Sequence, residues 1–304
     1  KSEFNSSQAV DVLAQRPNMV ILWAGYAFSW DYATPRGHQH AVEDVRRTLR
    51  TGAPGVTEGK EPQPGTCWTC KGPDVPRVMK EQGVANFYKA PWSKWGDQIM
   101  NSVGCSDCHD SKTMDLKPAR PALYEAWQRV GKDVNKATHQ EMRSLVCAQC
   151  HTEYYFKGEG QYLTFPQDSG MTVEAMEKYY DAMNYKDYTH ALSRAPILKA
   201  QHPGYEVHQM GIHGQRGVSC ADCHMPYMSK GGVKYTDHHI MSPLANIERT
   251  CQTCHRQSAE TLRQNVYERQ RKCNEIRNRV ENELATAHIE AKFAWDKGAT
   301  EAEM

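Results

Sequence analysis

Apolar residues recur at helical spacing in four segments of the chain. This periodicity predicts helices over Ala41 to Arg50, Pro121 to Val130, Thr172 to Tyr185 and Gln257 to Lys297. The strict alternation of apolar and polar residues that is typical of half-buried strands is scarce. The predicted fold class is therefore mainly α, with few strands and one long C-terminal helix.

The long helix predicted over 257–297 carries a single apolar stripe. Its members are spaced three, four or seven residues apart and are Leu262, Val266, Cys273, Ile276, Val280 and Leu284. A stripe of this kind packs against a core or against another subunit. On this interpretation Cys273 is a buried small hydrophobe, and a reactive or disulfide-forming role is the alternative.

Two other features of the pattern concern loops and membranes. Segments rich in Gly and Pro, Thr51 to Thr66 and Met225 to Val233, are predicted to be loops. The longest apolar stretch, Met19 to Ala27, has about half of the roughly 20 residues that a membrane-spanning helix needs, so we expect it to be buried core. Since no repeat or low-complexity tract divides the chain, we predict a single domain over residues 1–304.

Composition changes this picture in one respect. Only 39% of the residues are apolar, although Trp, Tyr, Met and Cys are plentiful. This balance is expected where large apolar cofactors replace side chains in the interior. Lys and Arg number 37 against 36 Asp and Glu, so net charge gives no reason to expect a nucleic acid or an anionic membrane as a partner.

The cysteines identify the cofactor. Ten of the eleven fall in Cys-x-x-Cys pairs, which are Cys67/Cys70, Cys105/Cys108, Cys147/Cys150, Cys220/Cys223 and Cys251/Cys254. The residue after each pair is Lys71, His109, His151, His224 and His255, respectively. Two thiols at this spacing can hold both vinyl groups of a haem, and the adjacent imidazole can then reach the iron. Zinc knuckles and redox dithiols would not place His next to the pair four times. The spacing predicts five covalently bound haem c groups.

One of these motifs differs from the others. Cys67 to Lys71 ends in an amine where every other motif ends in an imidazole. A haem closed by two histidines has no free coordination position, so an exceptional haem is the natural place for chemistry. An amine coordinates iron only when it is deprotonated, which requires Lys71 to be desolvated and held at the metal. The alternative is a surface lysine beside a haem whose ligand comes from elsewhere.

These motifs, in this order, resemble those of the pentahaem cytochrome c nitrite reductases, which form ammonia in the periplasm. The resemblance continues through Pro35 to His38, Thr48 to Pro54, Cys147 to Phe156, Leu198 to Pro203, Gly211 to Gly214 and Tyr235 to His238. It implies the six-electron reduction of nitrite to ammonium at the lysine-ligated haem, with four bis-histidine haems as an electron relay.

The resemblance also implies an active site. Together with Lys71, the matching residues around the substrate are Arg50, Tyr154 and His202. Arg50 would offer a permanent charge to an anion, and His202 and Tyr154 would donate hydrogen bonds or protons. Taken singly, the three residues are more simply a helix-face arginine, a core tyrosine and a haem-ligand histidine.

A calcium site beside the substrate is implied in the same way. The matching ligands are Glu153, Tyr154, Lys199 and Gln201, with Tyr154 and Lys199 contributing main-chain carbonyls. Calcium takes oxygen donors of these kinds.

The resemblance assigns distal ligands to three haems. It places His38 opposite the haem of Cys147/Cys150, His238 opposite that of Cys105/Cys108, and His213 opposite that of Cys251/Cys254. From the residues alone, either His238 or His239 could reach the iron. The remaining histidines are expected to be surface or packing residues, and they are His40, His139, His190, His208 and His288.

Further expectations concern the surroundings of the protein. The resemblance implies a periplasmic, exported protein that lacks its signal peptide here. It also implies a homodimer with a redox partner, either a cytochrome or a membrane quinol-oxidising cytochrome. Charge balance and the length of the apolar stretch lead us to expect neither a nucleic acid partner nor a transmembrane segment in this chain. The distal ligand of the Cys220/Cys223/His224 haem is expected beyond Met304, on a further helical region of a longer chain. The rival hypotheses are an electron-transfer cytochrome without a substrate and an enzyme acting on hydroxylamine or sulfite.

Overall fold

The computed structural model describes residues 8–51, 53 and 60–304. In chain order, its α-helices are α1 Val12–Gln15, α2 Asn18–Leu22, α3 Ala41–Arg47, α4 Asp74–Gln82, α5 Val84–Lys89, α6 Cys105–Cys108, α7 Pro121–Arg129, α8 His139–Ala148, α9 Val173–Ala182, α10 Gly204–Met210, α11 Ile212–Gln215, α12 Cys220–His224 and α13 Ala259–Asp296. Short 3-10 helices occupy Ala27–Ser29, His38–His40, Gly65–Trp68, Trp92–Trp95, Val134–Lys136, Pro243–Asn246 and Cys251–Thr253. The prediction of a mainly α fold is confirmed.

Strands are short and pair only in twos within the described residues. They are β1 Tyr155–Lys157, β2 Tyr162–Thr164, β3 Tyr188–Thr189, β4 Pro196–Ile197, β5 Tyr227–Lys230 and β6 Val233–Thr236. Each pair, β1 with β2, β3 with β4 and β5 with β6, is antiparallel.

The four predicted helices are present, as α3, α7, α9 and α13, but two of them end early. Thr48 adopts an extended backbone, so α3 stops at Arg47 and leaves Arg50 outside the helix. Asn184 has a φ of 48°, which the helical path of α9 cannot accommodate. Arg50 is therefore carried by the segment that follows α3.

The prediction of a loop over Met225 to Val233 was wrong. Lys230 pairs with Val233 across a two-residue turn, which closes the β5–β6 hairpin. Both turn residues, Gly231 and Gly232, have positive φ, and glycine reaches that region without steric cost. The other predicted loop, Thr51 to Thr66, lies partly outside the described residues, and its end forms the 3-10 helix Gly65–Trp68.

The chain forms two compact units. One comprises the described residues up to Thr34 together with Lys186–Leu198 and Met241–Met304, and the other comprises Pro35–Tyr185 and Lys199–Ile240. The single haem-packed domain expected from the sequence stays a prediction. No helix of the described residues has the length and apolarity needed to cross a membrane.

In the first unit, α13 packs against α2 through polar contacts. Arg16 forms an ion pair with the buried carboxylate of Glu281, and Asn18 Nδ2 donates to Asn282 Oδ1 at 2.6 Å. Ala285 is also buried on this face of the helix. The apolar stripe predicted for this helix is covered less, because Ile276, Val280 and Leu284 are exposed.

Two sequence predictions about this unit need correction. Cys273 is exposed rather than buried, because α2 covers the face that holds Glu281 and Ala285. In the apolar stretch Met19 to Ala27, only the two end residues are fully buried, and Val20 is 43% exposed.

The second unit has an aromatic core around the lysine-ended motif. Trp68 is fully buried, stacks on Trp92 with ring centroids 4.5 Å apart, and donates from Nε1 to the Trp92 carbonyl at 2.9 Å. Trp95 stacks on Phe87 at 5.4 Å and donates to its carbonyl at 3.0 Å. The indole N–H groups of Trp68 and Trp95 thus have partners, which removes the cost of burying them. Trp68 anchors the motif in the core.

Candidate functional site

The lysine-ended motif is shaped by its own short-range hydrogen bonds. Residues 65–68 form a 3-10 turn, and the Lys71 N–H continues it by donating to the Trp68 carbonyl at 3.0 Å. The hydroxyl of Thr69, fully buried, donates to the Thr66 carbonyl at 2.6 Å. These bonds fix the turn that presents Cys67, Cys70 and Lys71 together.

The residue before the second cysteine plays a structural role in every motif. Thr253 repeats the bond of Thr69 by donating to the Thr250 carbonyl at 2.7 Å. Asp107 and Asp222 instead accept from the backbone N–H three residues before them, at 2.8 and 2.7 Å, and so cap the short helices of their motifs. Gln149 reaches outward, donating to the Asp107 carbonyl at 2.6 Å. Sequence reasoning missed these residues, although capping residues at this position were a readable signal.

Two buried arginines extend these contacts between motifs. Arg120 pairs with Asp107 at 2.6 Å, and Arg143 pairs with Asp222 at 3.0 Å. Both arginine side chains are at most 5% exposed. Arg120 Nη1 and Arg143 Nε are buried without a hydrogen-bond partner among the described residues. Such unpaired donors suit a site that also receives water or the carboxylates of a cofactor such as haem.

Imidazole pairs stand where two haems are expected. The rings of His38 and His151 have centroids 6.0 Å apart, and those of His109 and His238 have centroids 6.2 Å apart. A metal–imidazole nitrogen bond is roughly 2 Å long, so two rings on opposite sides of one metal have centroids about 6 Å apart. The spacing fits an iron between each pair, as the bis-histidine hypothesis requires.

The second of these pairs bears on the choice between neighbouring histidines. The structure brings His238 to His109, whereas the side chain of His239 is 85% exposed and contacts Asp237 at 2.8 Å. The arrangement favours His238 as the partner of His109. Its ligation of iron stays a proposal.

The motifs also approach one another. The thiols of Cys70 and Cys150 are close enough to interact, and so are those of Cys147 and Cys220. The first motif is therefore next to the third, and the third is next to the fourth. Adjacent attachment sites are what a relay of electrons between haems requires.

The remaining predicted ligands are distributed between the units. The fifth motif, Cys251 to His255, belongs to the first unit, and His213 belongs to the second. Their pairing, and the ligands of the haem at Cys220, Cys223 and His224, stay predictions.

The attachment cysteines differ in how far the protein covers them. Cys254 is exposed, as is Cys105, whereas the other eight attachment cysteines are partly buried. The reason is local, because the 3-10 helix of this motif ends at Thr253 and the backbone at Cys254 has already left the helical path on its way to α13. The thioether bonds of Cys254 and Cys105 to haem stay predictions from spacing.

Several histidines expected to be packing residues have protein partners. His190 is 1% exposed, donates from Nε2 to the Ile21 carbonyl at 2.8 Å, and stacks on His288 with centroids 3.7 Å apart. His208 Nε2 donates to the Val218 carbonyl at 2.8 Å, and His40 contacts Glu43 at 3.0 Å. These contacts agree with a packing role.

The predicted substrate-binding residues lie around the first and third motifs. The ring of His202 meets that of His151 edge to face with centroids 4.8 Å apart. Arg50 is half-buried and donates from Nε to the Thr48 hydroxyl at 3.2 Å. Tyr154 is also half-buried, between the third motif and β1.

The charges of this region favour an anion. The positive charges of Lys71 and Arg50 both act on the Cys67 thiol, and Lys71 also acts on His202. Desolvation is the main cause of a lowered pKa at His202, and the charge of Lys71 lowers this pKa further. Arg50 and His202, which can bind or protonate an oxyanion, thus share one neighbourhood with Lys71.

Glu153 joins the two segments that carry Tyr154 and His202. Its Oε2 accepts from the backbone N–H groups of Gln201 at 2.7 Å and His202 at 3.2 Å, and its Oε1 accepts from the Tyr180 hydroxyl at 3.2 Å. Burial raises the pKa of Glu153 to about 7, against the effect of these hydrogen bonds. The carboxylate is only 3% exposed.

A second carboxylate lies directly behind Glu153. Glu206 is fully buried and accepts from the Thr152 hydroxyl at 2.6 Å, the Gln167 amide at 2.6 Å and the Glu153 N–H at 3.1 Å. Every partner is a donor, so both side-chain oxygens act as acceptors. Sequence reasoning missed Glu206, and its position four residues after His202 gave only a weak signal.

The donor set here suits a hard cation. Neither Glu153 nor Glu206 forms a salt bridge within the described part of the chain, so two buried carboxylates lack a positive partner. Gln201, which accepts from Lys199 Nζ at 2.9 Å, supplies an amide oxygen nearby. No group of three or more His, Cys, Asp or Glu side chains among the described residues converges as a metal site, so amide and carbonyl oxygens must complete the set.

The chain is similar to known proteins in sequence and in structure. A model of the cytochrome c552 family matches residues 1–304. The chain is 71% identical over 304 residues to a cytochrome c-552 of Parabacteroides distasonis, covering all of this chain and 61% of that protein. It is 48% identical over 316 residues to a cytochrome c-552 of Desulfotalea psychrophila, covering all of this chain and 62% of that protein.

A solved structure is similar as well. The catalytic subunit of the cytochrome c nitrite reductase from Desulfovibrio desulfuricans superposes with a TM-score of 0.85 and 35% identity, covering 94% of this chain and 63% of that one. Two calcium sites are described in that subunit. The chain thus spans about three fifths of the length of the relatives that it matches.

Proposed function

This chain belongs to the cytochrome c552 family, and on that premise we propose that it is part of an ammonia-forming nitrite reductase. The observation that carries the proposal is the Cys67 to Lys71 motif, which lies in one electrostatic neighbourhood with Arg50 and His202. An electron carrier would need none of these cationic and proton-donating groups. When bound, the haems supply the electrons and an open iron at which nitrite can be reduced.

The protein residues bind nitrite and move its protons. Arg50 binds the anion through its permanent charge and its planar donors. His202 donates hydrogen bonds and protons to the nitrite oxygens. Tyr154 donates a hydrogen bond or a proton from its hydroxyl. Lys71 would hold the haem iron through its neutral amine.

Glu153, Gln201 and the carbonyls of Tyr154 and Lys199 would hold calcium. A cation bound there would compensate the charge of the buried carboxylate and would fix the segments on either side of the substrate. The support for this part is the pair of buried carboxylates without a salt bridge among the described residues.

The setting of the enzyme follows from the proposed chemistry. Covalent haem c and a six-electron reduction suit a periplasmic protein of nitrogen metabolism that receives electrons from a cytochrome or a quinol-oxidising membrane partner. We place it as a homodimer in that compartment. The haems of the four motifs that end in histidine act as the relay.

The test is a nitrite assay on the full-length, haem-loaded protein with an excess of a chemical reductant. Ammonium should appear in proportion to the nitrite consumed, without accumulation of free hydroxylamine. Absence of nitrite consumption would favour an electron carrier, and faster turnover of hydroxylamine or sulfite than of nitrite would favour that other class of enzyme.

Matched variants connect the activity to the site. Tyr154→Phe should slow turnover, whereas Tyr155→Phe should not, because the Tyr155 hydroxyl contacts Tyr179 in the core at 2.9 Å. Arg50→Lys should raise KM for nitrite, whereas Arg47→Lys should leave it unchanged, since the side chain of Arg47 is 71% exposed and pairs with Glu43. Equal effects within either pair would contradict the assigned roles.

A further inference from the structure

Arg120 occupies an unusual position for a charged residue. It precedes α7 and is 1% exposed, and its backbone N–H is held by Gln149 Oε1 at 3.1 Å. A buried guanidinium is costly unless its charge and its donors are satisfied. The charge is compensated by Asp107, whose side chain is 5% exposed.

Two further hydrogen bonds of the Arg120 guanidinium reach the lysine-ended motif. Nε donates to the Thr69 carbonyl at 2.6 Å, and Nη2 donates to the Gly72 carbonyl at 2.9 Å. These two carbonyls lie on either side of the Cys70–Lys71 pair. The guanidinium therefore holds the backbone before and after the proposed iron ligand.

The same backbone is confined from another side. A Cβ at Gly72 would lie 1.9 Å from the Asn101 carbonyl oxygen, so the chain beside Lys71 cannot shift toward that neighbour. Asp74 holds the neighbouring segment by accepting from the Asn101 N–H at 2.8 Å. With Arg120 on one side and residue 101 on the other, the turn has little freedom.

We infer that Arg120 is a positioning residue for Lys71, acting through its bonds to the Thr69 and Gly72 carbonyls rather than by touching the substrate. This inference rests on the proposed function, because it concerns the residue that would ligate the substrate-binding haem. Only arginine offers donors in a planar fork that can bind two carbonyls and a carboxylate at once. Lysine would keep the charge and lose the fork.

The test compares Arg120→Lys with Arg143→Lys in full-length, haem-loaded protein. Arg143 is the matched control, because it is similarly buried and donates to the carboxylate of Asp222, which belongs to another motif. Arg120→Lys should change the electron paramagnetic resonance signal and the midpoint potential of the lysine-ligated haem. It should also lower kcat for nitrite by about 10- to 100-fold with little change in KM, the penalty expected for a small misplacement. Arg143→Lys should leave that haem signal unchanged.

Two further measurements separate positioning from general loosening. In a Lys71→His background, Arg120→Lys should add no further change to this haem signal, because the residue through which Arg120 acts has been replaced. If the Arg120→Lys protein does not accumulate, the double variant Arg120→Gln with Asp107→Asn can be used instead. It removes the planar guanidinium donors without leaving an unpaired buried charge, so it should alter the electron paramagnetic resonance signal of the lysine-ligated haem.

The inference is overturned if Arg120→Lys leaves the lysine-ligated haem unchanged, or if both arginine variants alter all haems alike. The signal is recorded without nitrite. A wild-type protein that fails to make ammonium therefore refutes the proposed function, whereas an unchanged signal in Arg120→Lys refutes the positioning role alone.

Discussion

Replacing Glu206 by glutamine measures how firmly the segment that carries Glu153 and Tyr154 is held. Glutamine has nearly the same shape, so the change removes charge and one acceptor without opening a cavity. Its remaining oxygen can accept from Thr152 and Gln167, which both donate to Oε1. Its new NH₂ group then faces the Glu153 N–H, which lies 3.2 Å from Oε2.

The expected loss follows from these contacts. A hydrogen bond to a charged group contributes about 1 kcal/mol more than one to a neutral group. The bonds from Thr152 and Gln167 remain in the variant but now go to a neutral amide oxygen, so together they contribute about 2 kcal/mol less. The donor facing the Glu153 N–H costs about 1 kcal/mol more. Removing a negative charge beside Glu153, whose pKa Glu206 raises, offsets about 1 kcal/mol. Glu206→Gln should lower the free energy of unfolding by about 2 kcal/mol.

The assay is equilibrium urea unfolding of haem-loaded protein at about pH 8, with calcium removed. Glu125→Gln is the control, because Glu125 is half-buried and accepts a hydrogen bond from the Tyr162 hydroxyl at 2.8 Å. It should lose at most about 1 kcal/mol. A loss for Glu206→Gln no larger than for Glu125→Gln would show that the buried carboxylate does not hold this segment.

Three other changes have distinct outcomes. The pKa of Glu153 is raised from 4.5 to about 7, so its contribution to stability in calcium-free protein is fully present below pH 4.5. The free energy of unfolding should fall by up to about 3 kcal/mol as pH rises through 7. Glu153→Gln should lack this pH dependence of the free energy of unfolding. Lys71→His should leave five haems attached by intact mass but change the spectrum of one haem and the nitrite kinetics, and unchanged kinetics would remove Lys71 from the mechanism. Gly72→Ala should lower the free energy of unfolding in urea by roughly 1–3 kcal/mol, because the new Cβ would lie 1.9 Å from the Asn101 carbonyl oxygen. Gly160→Ala is the control and should change the free energy of unfolding by at most about 0.5 kcal/mol, because Gly160 has open space around it.

Sequence periodicity located the main helices because their apolar faces are regular. It failed at the β5–β6 hairpin, where Gly231 and Gly232 were interpreted as loop residues. Two consecutive glycines are also typical of a tight turn between two strands. The pairing of Lys230 with Val233 shows that they form such a turn here and not a longer loop. A short hairpin has too few alternating residues to reveal itself by pattern alone.

Burial was harder to predict than secondary structure. The stripe on α13 has the spacing of a packed face, but Cys273 on it is exposed, because the covered face of this helix is fixed by Glu281 and its partner Arg16. Cys254 shows the same limit, since its motif predicts attachment chemistry and does not predict how far its thiol is covered by protein. Spacing identifies which residues share a face, and it does not identify what covers that face.

In the candidate site, the haem attachment residues could be predicted from the sequence and the residues that support them could not. Cysteine spacing predicted the haem attachment residues, because thioether chemistry dictates the spacing. The supporting residues Glu206 and Arg120 could not be predicted from local sequence, since their partners lie 13 to 54 positions away along the chain. Long-range contacts of this kind exist only once the chain has folded.

The contacts of Arg120 have a consequence for how the protein matures. Thr69, Asp107 and Gln149 come from three attachment motifs, and each is joined to the same buried arginine or to its ion-pair partner. The turn around Lys71 therefore cannot reach its final form while the chain as far as residue 149 is still unfolded. The position of Lys71 is therefore set only after the second and third motifs have folded, although its own motif comes before theirs along the chain.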